Sequence, residues 1–166
     1  MAFPRIGASL RRTEIASVPT PVTSHTIDLP TGQRNIMVKH DEATNDVYGG
    51  NKVRKLEYLL RRASDRKARR IATFGAVGSN HALATAIHAT RLGFDCTCFL
   101  SHQKATPNIA RTLNMHRELG TELVHWGRAT DSLALYRQYL QHRNTWVVPL
   151  GGTCWLGAIG FINAGL

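Results

Sequence analysis

Two short segments of this chain hold residue types that together can do chemistry. The first is Gly49-Gly50-Asn51-Lys52-Val53-Arg54-Lys55-Leu56-Glu57. Two glycines and an asparagine deliver Lys52 to the start of an expected helix. Glycine leaves room beside the chain and permits positive φ, so the lysine can approach a bound group closely. Deprotonated, its amine is a nucleophile able to form a Schiff base. The second segment follows one helix and one strand later: Gly75-Ala76-Val77-Gly78-Ser79-Asn80-His81. Here a glycine-rich turn opens another helix. Backbone N–H groups, the helix dipole and the Ser79 hydroxyl make such a helix start a receiver for a carboxylate or phosphate. Ser79 or Asn80 serves equally well there as an ordinary helix cap.

The glycine spacing is neither the G-x-G-x-x-G dinucleotide fingerprint nor a phosphate loop ending in G-K-[ST]. His81 follows the serine and asparagine directly and is a candidate on position alone. The other seven histidines show no i, i+4 pairing with an acid that would mark a metal site. Cys96 and Cys98 alternate within an expected strand, so both thiols fall on one face. With Cys154 they lack the paired spacing of a zinc site and read as free thiols in a reducing compartment. No metal is expected.

The elements that must position these residues alternate. A helix is expected over 53–64, with Leu56, Leu59, Leu60 and Ala63 as its buried stripe. Ile71–Phe74 reads as a short strand ending at Gly75. An alanine-rich helix over 79–92 closes at Gly93. Phe94–Leu100 is a strand, and Thr106-Pro107 forms an N-cap and N1 pair opening a helix that stops at Gly120. Thr121–Trp126 is a strand, 130–142 a helix and Thr145–Pro149 the last strand. Gly151-Gly152-Thr153 and a further helix from Trp155 follow. Strands separated by single helices imply right-handed crossovers and a layered α/β fold around a parallel sheet. In such sheets ligands sit beyond the carboxyl ends of the strands. Gly75–Asn80 and Leu150–Thr153 should therefore share one rim, and Lys52 must reach it. Upstream, extended segments at Pro21–Asp28 and Asn35–His40 flank a turn at Leu29–Gly32 and are expected to pack apart from this sheet.

Composition bounds the reading. With 166 residues and 43% hydrophobic content, the chain can form one domain with a core or parts of two. No apolar run approaches a membrane span. The arginine-bearing N-terminus lacks the apolar stretch of a secretory signal, and Glu14 interrupts a transit pattern. The net charge of +10 gathers partly at Arg61, Arg62, Arg66, Lys67, Arg69 and Arg70. Without interleaved aromatics this reads as a solvated helix face, not a nucleic-acid platform. A basic protein also suits small anionic ligands.

Three segments in order, Gly49 to Glu57, Ser79-Asn80-His81 and Pro149-x-Gly151-Gly152-Thr153, together with Pro19-Thr20-Pro21 upstream, resemble one family. It is the 1-aminocyclopropane-1-carboxylate deaminase / D-cysteine desulfhydrase family, pyridoxal-phosphate enzymes of the tryptophan-synthase-β fold type. The resemblance covers about residues 15–166. It implies a three-layer parallel sheet, a Schiff base between Lys52 and the cofactor, and Lys52 as proton-shuttling base. Lys52 and Ser79 would be the catalytic residues. Asn51, Lys55 and Asn80 would bind the cofactor: Asn80 at its phenolic oxygen, Lys55 at its phosphate, Asn51 shaping the approach of Lys52. Ser79, Asn80 and His81 would hold the substrate carboxylate. The implied reaction is lyase or deaminase chemistry on a small amino acid, releasing ammonia and a 2-oxo acid, in a cytoplasmic homodimer.

The chain departs from the pattern at Gly78, where the family often has glutamine, at Ala82-Leu83-Ala84, and at Cys154, where asparagine is common. Family members are roughly twice as long and carry a later phosphate-cradling loop. The resemblance therefore implies an N-terminal half, with residues 1–50 from the large domain, 51–150 forming the small domain and 151–166 beginning the rest of the large domain. The alternative is an inactive fragment or remnant of such an enzyme.

Overall fold

The computed structural model describes residues 10–127 and 144–165. Strands β1 (Val22–Leu29) and β2 (Gly32–Lys39) pair antiparallel as a separate two-stranded ribbon, with Leu29 opposite Gly32 across the Pro30-Thr31 turn. A single 3₁₀ turn, Asp41–Thr44, leads to α1 (Asn51–Asp65). Then come β3 (Arg70–Ala76), α2 (Asn80–Arg91), β4 (Asp95–Ser101), α3 (Pro107–Glu118), β5 (Glu122–His125) and β6 (Thr145–Val148). A 3₁₀ turn at Leu150–Gly152 and α4 (Trp155–Gly165) complete the order. Strands β5-β4-β3-β6 form one sheet in that spatial order, all parallel.

The expected architecture is present. The structure lengthens Ile71–Phe74 to Arg70–Ala76 and starts α1 at Asn51 instead of 53, which places Lys52 within the first helical turn. The helix expected over 130–142 lies outside the described residues.

Periodicity explains the packing. Leu56, Leu60 and Ala63 of α1 are fully buried and Leu59 nearly so, giving the apolar stripe a place against the sheet and α4. In α2, Ala82, Ala84, Ala86 and Ala89 are all fully buried. Side chains this small bring the helix close to β3 and β4, and the core continues through Ile71, Cys98, Leu100 and Val148. Close approach recurs between α1 and α4, where a Cβ on Gly160 would strike the Arg54 carbonyl oxygen. The helix punctuation works as read: Thr106 caps α3 by accepting from Ile109 N–H at 3.3 Å, and Gly93 and Gly120 take positive φ after α2 and α3.

Cys96 and Cys98 face one side with sulfurs 4.0 Å apart, both buried and free. The contact with Cys96 and burial push the Cys98 thiol well above its ordinary pKa. On the basic surface, Arg61 and Arg11 both pair with Asp65, and Arg70 pairs with Glu122. Arg61 and Arg70 of the basic cluster are thus charge-paired. No described helix is long and apolar enough to cross a membrane.

Candidate functional site

The lysine segment is held from below. Gly50 adopts φ 115°, a conformation for glycine, and a Cβ on Gly49 would collide with the Glu42 carbonyl. The Gly50 N–H donates to Asp41 O at 2.7 Å and to Thr44 Oγ1 at 3.0 Å, so the 3₁₀ turn fixes where α1 begins. Two charged residues of the same motif serve the fold. Arg54 is buried and donates from Nη2 to Thr20 Oγ1 and Asp41 Oδ1, each at 3.0 Å. Glu57 is buried and accepts from Arg12 Nη1 at 2.9 Å and from the backbone N–H groups of Ile15 and Ala16. Together they strap the N-terminal segment across α1. Lys52 and Lys55 are the cations of the motif left for a ligand, and neither pairs with a carboxylate among the described residues.

The second segment starts where β3 ends. Ser79 is the N-cap of α2, its hydroxyl accepting from Ala82 N–H at 3.2 Å. The capping reading of Ser79 is thus realised, and an anion site at this turn would draw on the helix start around it. Gly75 lies against Ser79 so closely that a Cβ would come within 2.6 Å of the Ser79 Cβ. At Gly78 the position of a side chain is taken by Gln103, whose Oε1 accepts from the Gly78 N–H at 3.1 Å and lies 3.1 Å from where a Cβ would stand. Asn80 opens α2, and its Oδ1 accepts from Tyr48 Oη at 3.4 Å. Tyr48 is anchored in turn by its own carbonyl, 3.1 Å from His88 Nε2. Burial raises the Tyr48 pKa, against the opposing charge of Arg111.

His81 is 3% exposed. Its Nε2 lies 3.3 Å from Thr73 Oγ1, and Thr73 donates its own hydroxyl proton to Val148 O at 3.2 Å. Nε2 therefore carries the hydrogen and Nδ1 is a bare acceptor. That Nδ1 is buried without a partner among the described residues. Burial and the charges of Lys52 and Lys55 press the imidazole pKa down to about 4, against the Pro149 carbonyl. The ring is neutral at pH 7.

The third segment closes the rim. Gly151 and Gly152 both take φ 64°, which turns the chain back after β6. A Cβ on Gly152 would lie 3.1 Å from Lys55 Cδ and 3.4 Å from His81 Cε1, so this turn lies against both. Lys55 Nζ donates to Gly151 O at 3.0 Å and sits 4.8 Å from the Phe161 ring centre. Burial, then the charge of Lys52, lowers the Lys55 pKa, with Cys154 nearby acting the other way. Lys52, Lys55, His81 and the Gly151-Gly152 turn therefore form one group, with Ser79 and Asn80 beside it at the start of α2. Asn51 is an exposed first residue of α1, with no side-chain role visible there. Sequence reasoning missed Tyr48, Thr73 and Gln103, each of which arrives from a different element.

A patch with two lysines, a neutral acceptor and a helix start suits a small ligand bearing anionic groups and a hydrogen-bond donor. The profile of the family described as "Pyridoxal-phosphate dependent enzyme" matches residues 14–165. Nocardicin C-9′ epimerase of Nocardia uniformis subsp. tsuyamanensis is 32% identical over 166 residues, covering 95% of this chain and 50% of that protein. D-cysteine desulfhydrase of Salmonella paratyphi A is 33% identical, covering 93% of this chain and 50% of its own length. A crystal structure of an ACC deaminase homologue superimposes with a TM-score of 0.78 at 30% identity, covering 98% of this chain and 52% of that one. The chain thus spans about half the length of these relatives.

Proposed function

This chain belongs to the pyridoxal-phosphate dependent enzymes, and from that premise we propose that it carries the lysine-bearing part of a lyase or deaminase acting on a small amino acid, of the D-cysteine desulfhydrase or 1-aminocyclopropane-1-carboxylate deaminase type, releasing ammonia and a 2-oxo acid. The observation that carries the proposal is the meeting of Lys55 and His81 at the Gly151-Gly152 turn, beyond the carboxyl ends of β3 and β6 and one helical turn from Lys52, with no carboxylate paired to either lysine among the described residues.

The residues present fit the cofactor. The orphaned His81 Nδ1 needs a donor, two cations need an anion, and a Cβ on Gly152 would crowd the Lys55 stem and His81. When bound, pyridoxal phosphate supplies an aldehyde for a lysine amine and an electron sink for the carbon that loses its proton. Lys52 is the amine for that attachment and the base that moves the proton. Its place in the first turn of α1, fixed by Gly50 and the Asp41–Thr44 turn, holds Nζ on a rigid element instead of a loop. Lys55 and Asn80 bind the cofactor: Lys55 as a cation steadied by Gly151 O, Asn80 as a polar group steadied by Tyr48. Asn51 shapes the approach to Lys52. The Ser79 hydroxyl and the backbone N–H groups of Asn80 and His81 receive the substrate carboxylate at the start of α2. The His81 imidazole, neutral at pH 7, leaves proton transfer to Lys52.

We assign residues 51–150 to the small domain, and 1–50 and 151–166 to a large domain shared with the sequence that the relatives carry outside the match. In support, the ribbon face bearing Leu29, Ile36 and Val38 is exposed, and a two-stranded ribbon is marginal alone. The intact enzyme is proposed as a homodimer. The test is to supply full-length protein with D-cysteine and with 1-aminocyclopropane-1-carboxylate and measure ammonia and 2-oxo acid. Release from one of them, lost in Lys52→Ala, is expected. Release from neither would overturn the substrate class.

A further inference from the structure

Gln103 lies in the connection between β4 and α3, outside the residues assigned to the site above, yet it holds the turn that opens α2. The Gly78 N–H donates to its Oε1 at 3.1 Å. Resting on the reading of the α2 start as receiver of the substrate carboxylate, we propose that Gln103 is a positioning residue for that receiver. Its side-chain amide fixes Gly78, and through Gly78 it sets the pose of the Ser79 hydroxyl and of the Asn80 and His81 N–H groups.

The donors of the turn can be traced one by one. Val77 N–H donates to Ser101 O at 3.1 Å, and Ser79 N–H donates to Ala76 O at 2.9 Å. Ala82 N–H donates to Ser79 Oγ at 3.2 Å and Leu83 N–H to Ser79 O at 3.1 Å. Gly78 N–H is taken by Gln103. The N–H groups of Asn80 and His81 have no partner among the described residues, as the first turn of a helix leaves its donors open. Ser79 Oγ gives a lone pair to Ala82, so its own hydrogen is free to donate. Two N–H groups and one hydroxyl suit the oxygens of a carboxylate.

What holds these three donors is the turn before them. Its inner part is tied to β4 by the Val77 bond to Ser101 O and by Ser101 Oγ, which donates to Gly75 O at 3.4 Å. The Gln103 amide is the outermost tie, one residue before Ser79. Gly78 lacks the positive φ that would call for glycine. Space calls for it instead: a Cβ there would lie 3.0 Å from Ile109 Cγ1 and 3.1 Å from Gln103 Oε1. Ile109 is buried in the first turn of α3, its N–H held by Thr106 Oγ1 at 3.3 Å. The wall behind Gly78 is therefore fixed, and Gln103 occupies volume that a side chain at 78 would need.

The chemistry of an amide suits the place. Glutamine accepts the Gly78 N–H without bringing a negative charge beside an anion receiver, where a glutamate would repel the ligand. Gln103 is also exposed, so it adds little to the core, and its substitution should leave the fold intact. Its effect on the site is thus separable from any effect on stability. Residues 78 and 103 stand 25 apart in the chain, so no local spacing reveals the pair.

Amide NMR of the isotope-labelled chain titrated with sodium acetate tests this, together with hydrogen exchange at Gly78. In the wild type, acetate should shift the Asn80 and His81 amides saturably, and the Gly78 amide should be protected. Gln103→Met keeps the side-chain length and replaces the amide acceptor with a weak one. It should lose Gly78 protection and bind acetate about fivefold more weakly, the worth of one hydrogen bond. Gln103→Glu keeps an acceptor, so Gly78 should stay protected, and acetate affinity should recover to within about twofold of wild type once NaCl screens the added charge. Undiminished acetate affinity in Gln103→Met, or full Gly78 protection there, would overturn the role of Gln103. Absence of any acetate-dependent shift at Asn80 and His81 in the wild type would instead overturn the carboxylate reading of the α2 start, and this proposal with it.

Discussion

Glu57 shows how one residue of a recognisable motif can belong to the fold and not to the chemistry. It sits in the same turn sequence as Lys52, yet it is buried and anchors Arg12 and two backbone N–H groups of the N-terminal segment. Glu57→Ala should cost about 3 kcal/mol of stability, because a buried cation partner and two donors lose their acceptor together. Chemical denaturation would measure it, and a change under 1 kcal/mol would show that the strap is dispensable. The placement of Lys52, Ser79, Asn80 and His81 at two helix starts was legible in the sequence because glycine spacing and helix starts are local signals. The separate tasks of Arg54 and Glu57 were not, since their partners lie 13 to 45 residues away. The same holds for Tyr48, which meets Asn80 from 32 residues upstream, and for Thr73, which fixes the tautomer of His81.

Elements reveal a different kind of dependence. Helix α4 can approach α1 only because Gly160 has no side chain to strike the Arg54 carbonyl. Gly160→Ala should destabilise the fold by about 1–3 kcal/mol through overpacking, seen as a lower denaturant midpoint at unchanged slope. In α3, His116 is fully buried and neither ring nitrogen has a partner among the described residues. Burial presses its pKa to about 4. His116→Leu should therefore stabilise the chain by about 1–3 kcal/mol at pH 5, where the unfolded chain gains a proton that the folded chain refuses. Loss of stability in that variant would mean that the ring makes a compensating interaction. The described helices and strands were read correctly from apolar period, glycine stops and the Thr106-Pro107 start, because each is written into neighbouring residues. The boundary of α1 was not, since the turn at Asp41–Thr44 that sets it is held by hydrogen bonds to Gly50.

For the whole molecule, the histidines set a pH window. His81 and His116 both have folded pKa values near 4, below the ordinary 6.5, and burial lowers His88 as well. Below about pH 6.5 the unfolded chain binds more protons than the folded one. The contribution of these groups is thus complete above pH 6.5 and falls away as pH drops through about 4. Denaturant midpoints at pH 7.5, 5.5 and 4.5 should decline in that order, and a flat profile would contradict the burial of these rings. The parallel sheet and its order of helices were legible as alternation. The surroundings of the ribbon were not, because Leu29, Ile36 and Val38 share a face only through pairing across its two strands.

The central claim is that Lys52 is the residue to which the cofactor attaches. The direct measurement is to add pyridoxal phosphate to the purified chain, reduce with borohydride and map the labelled peptide. The account predicts an imine absorbance band before reduction and one label on Lys52, absent in Lys52→Ala with Lys55 intact. A label on Lys55 instead, or labels scattered over surface lysines with the same yield in Lys52→Ala, would contradict it.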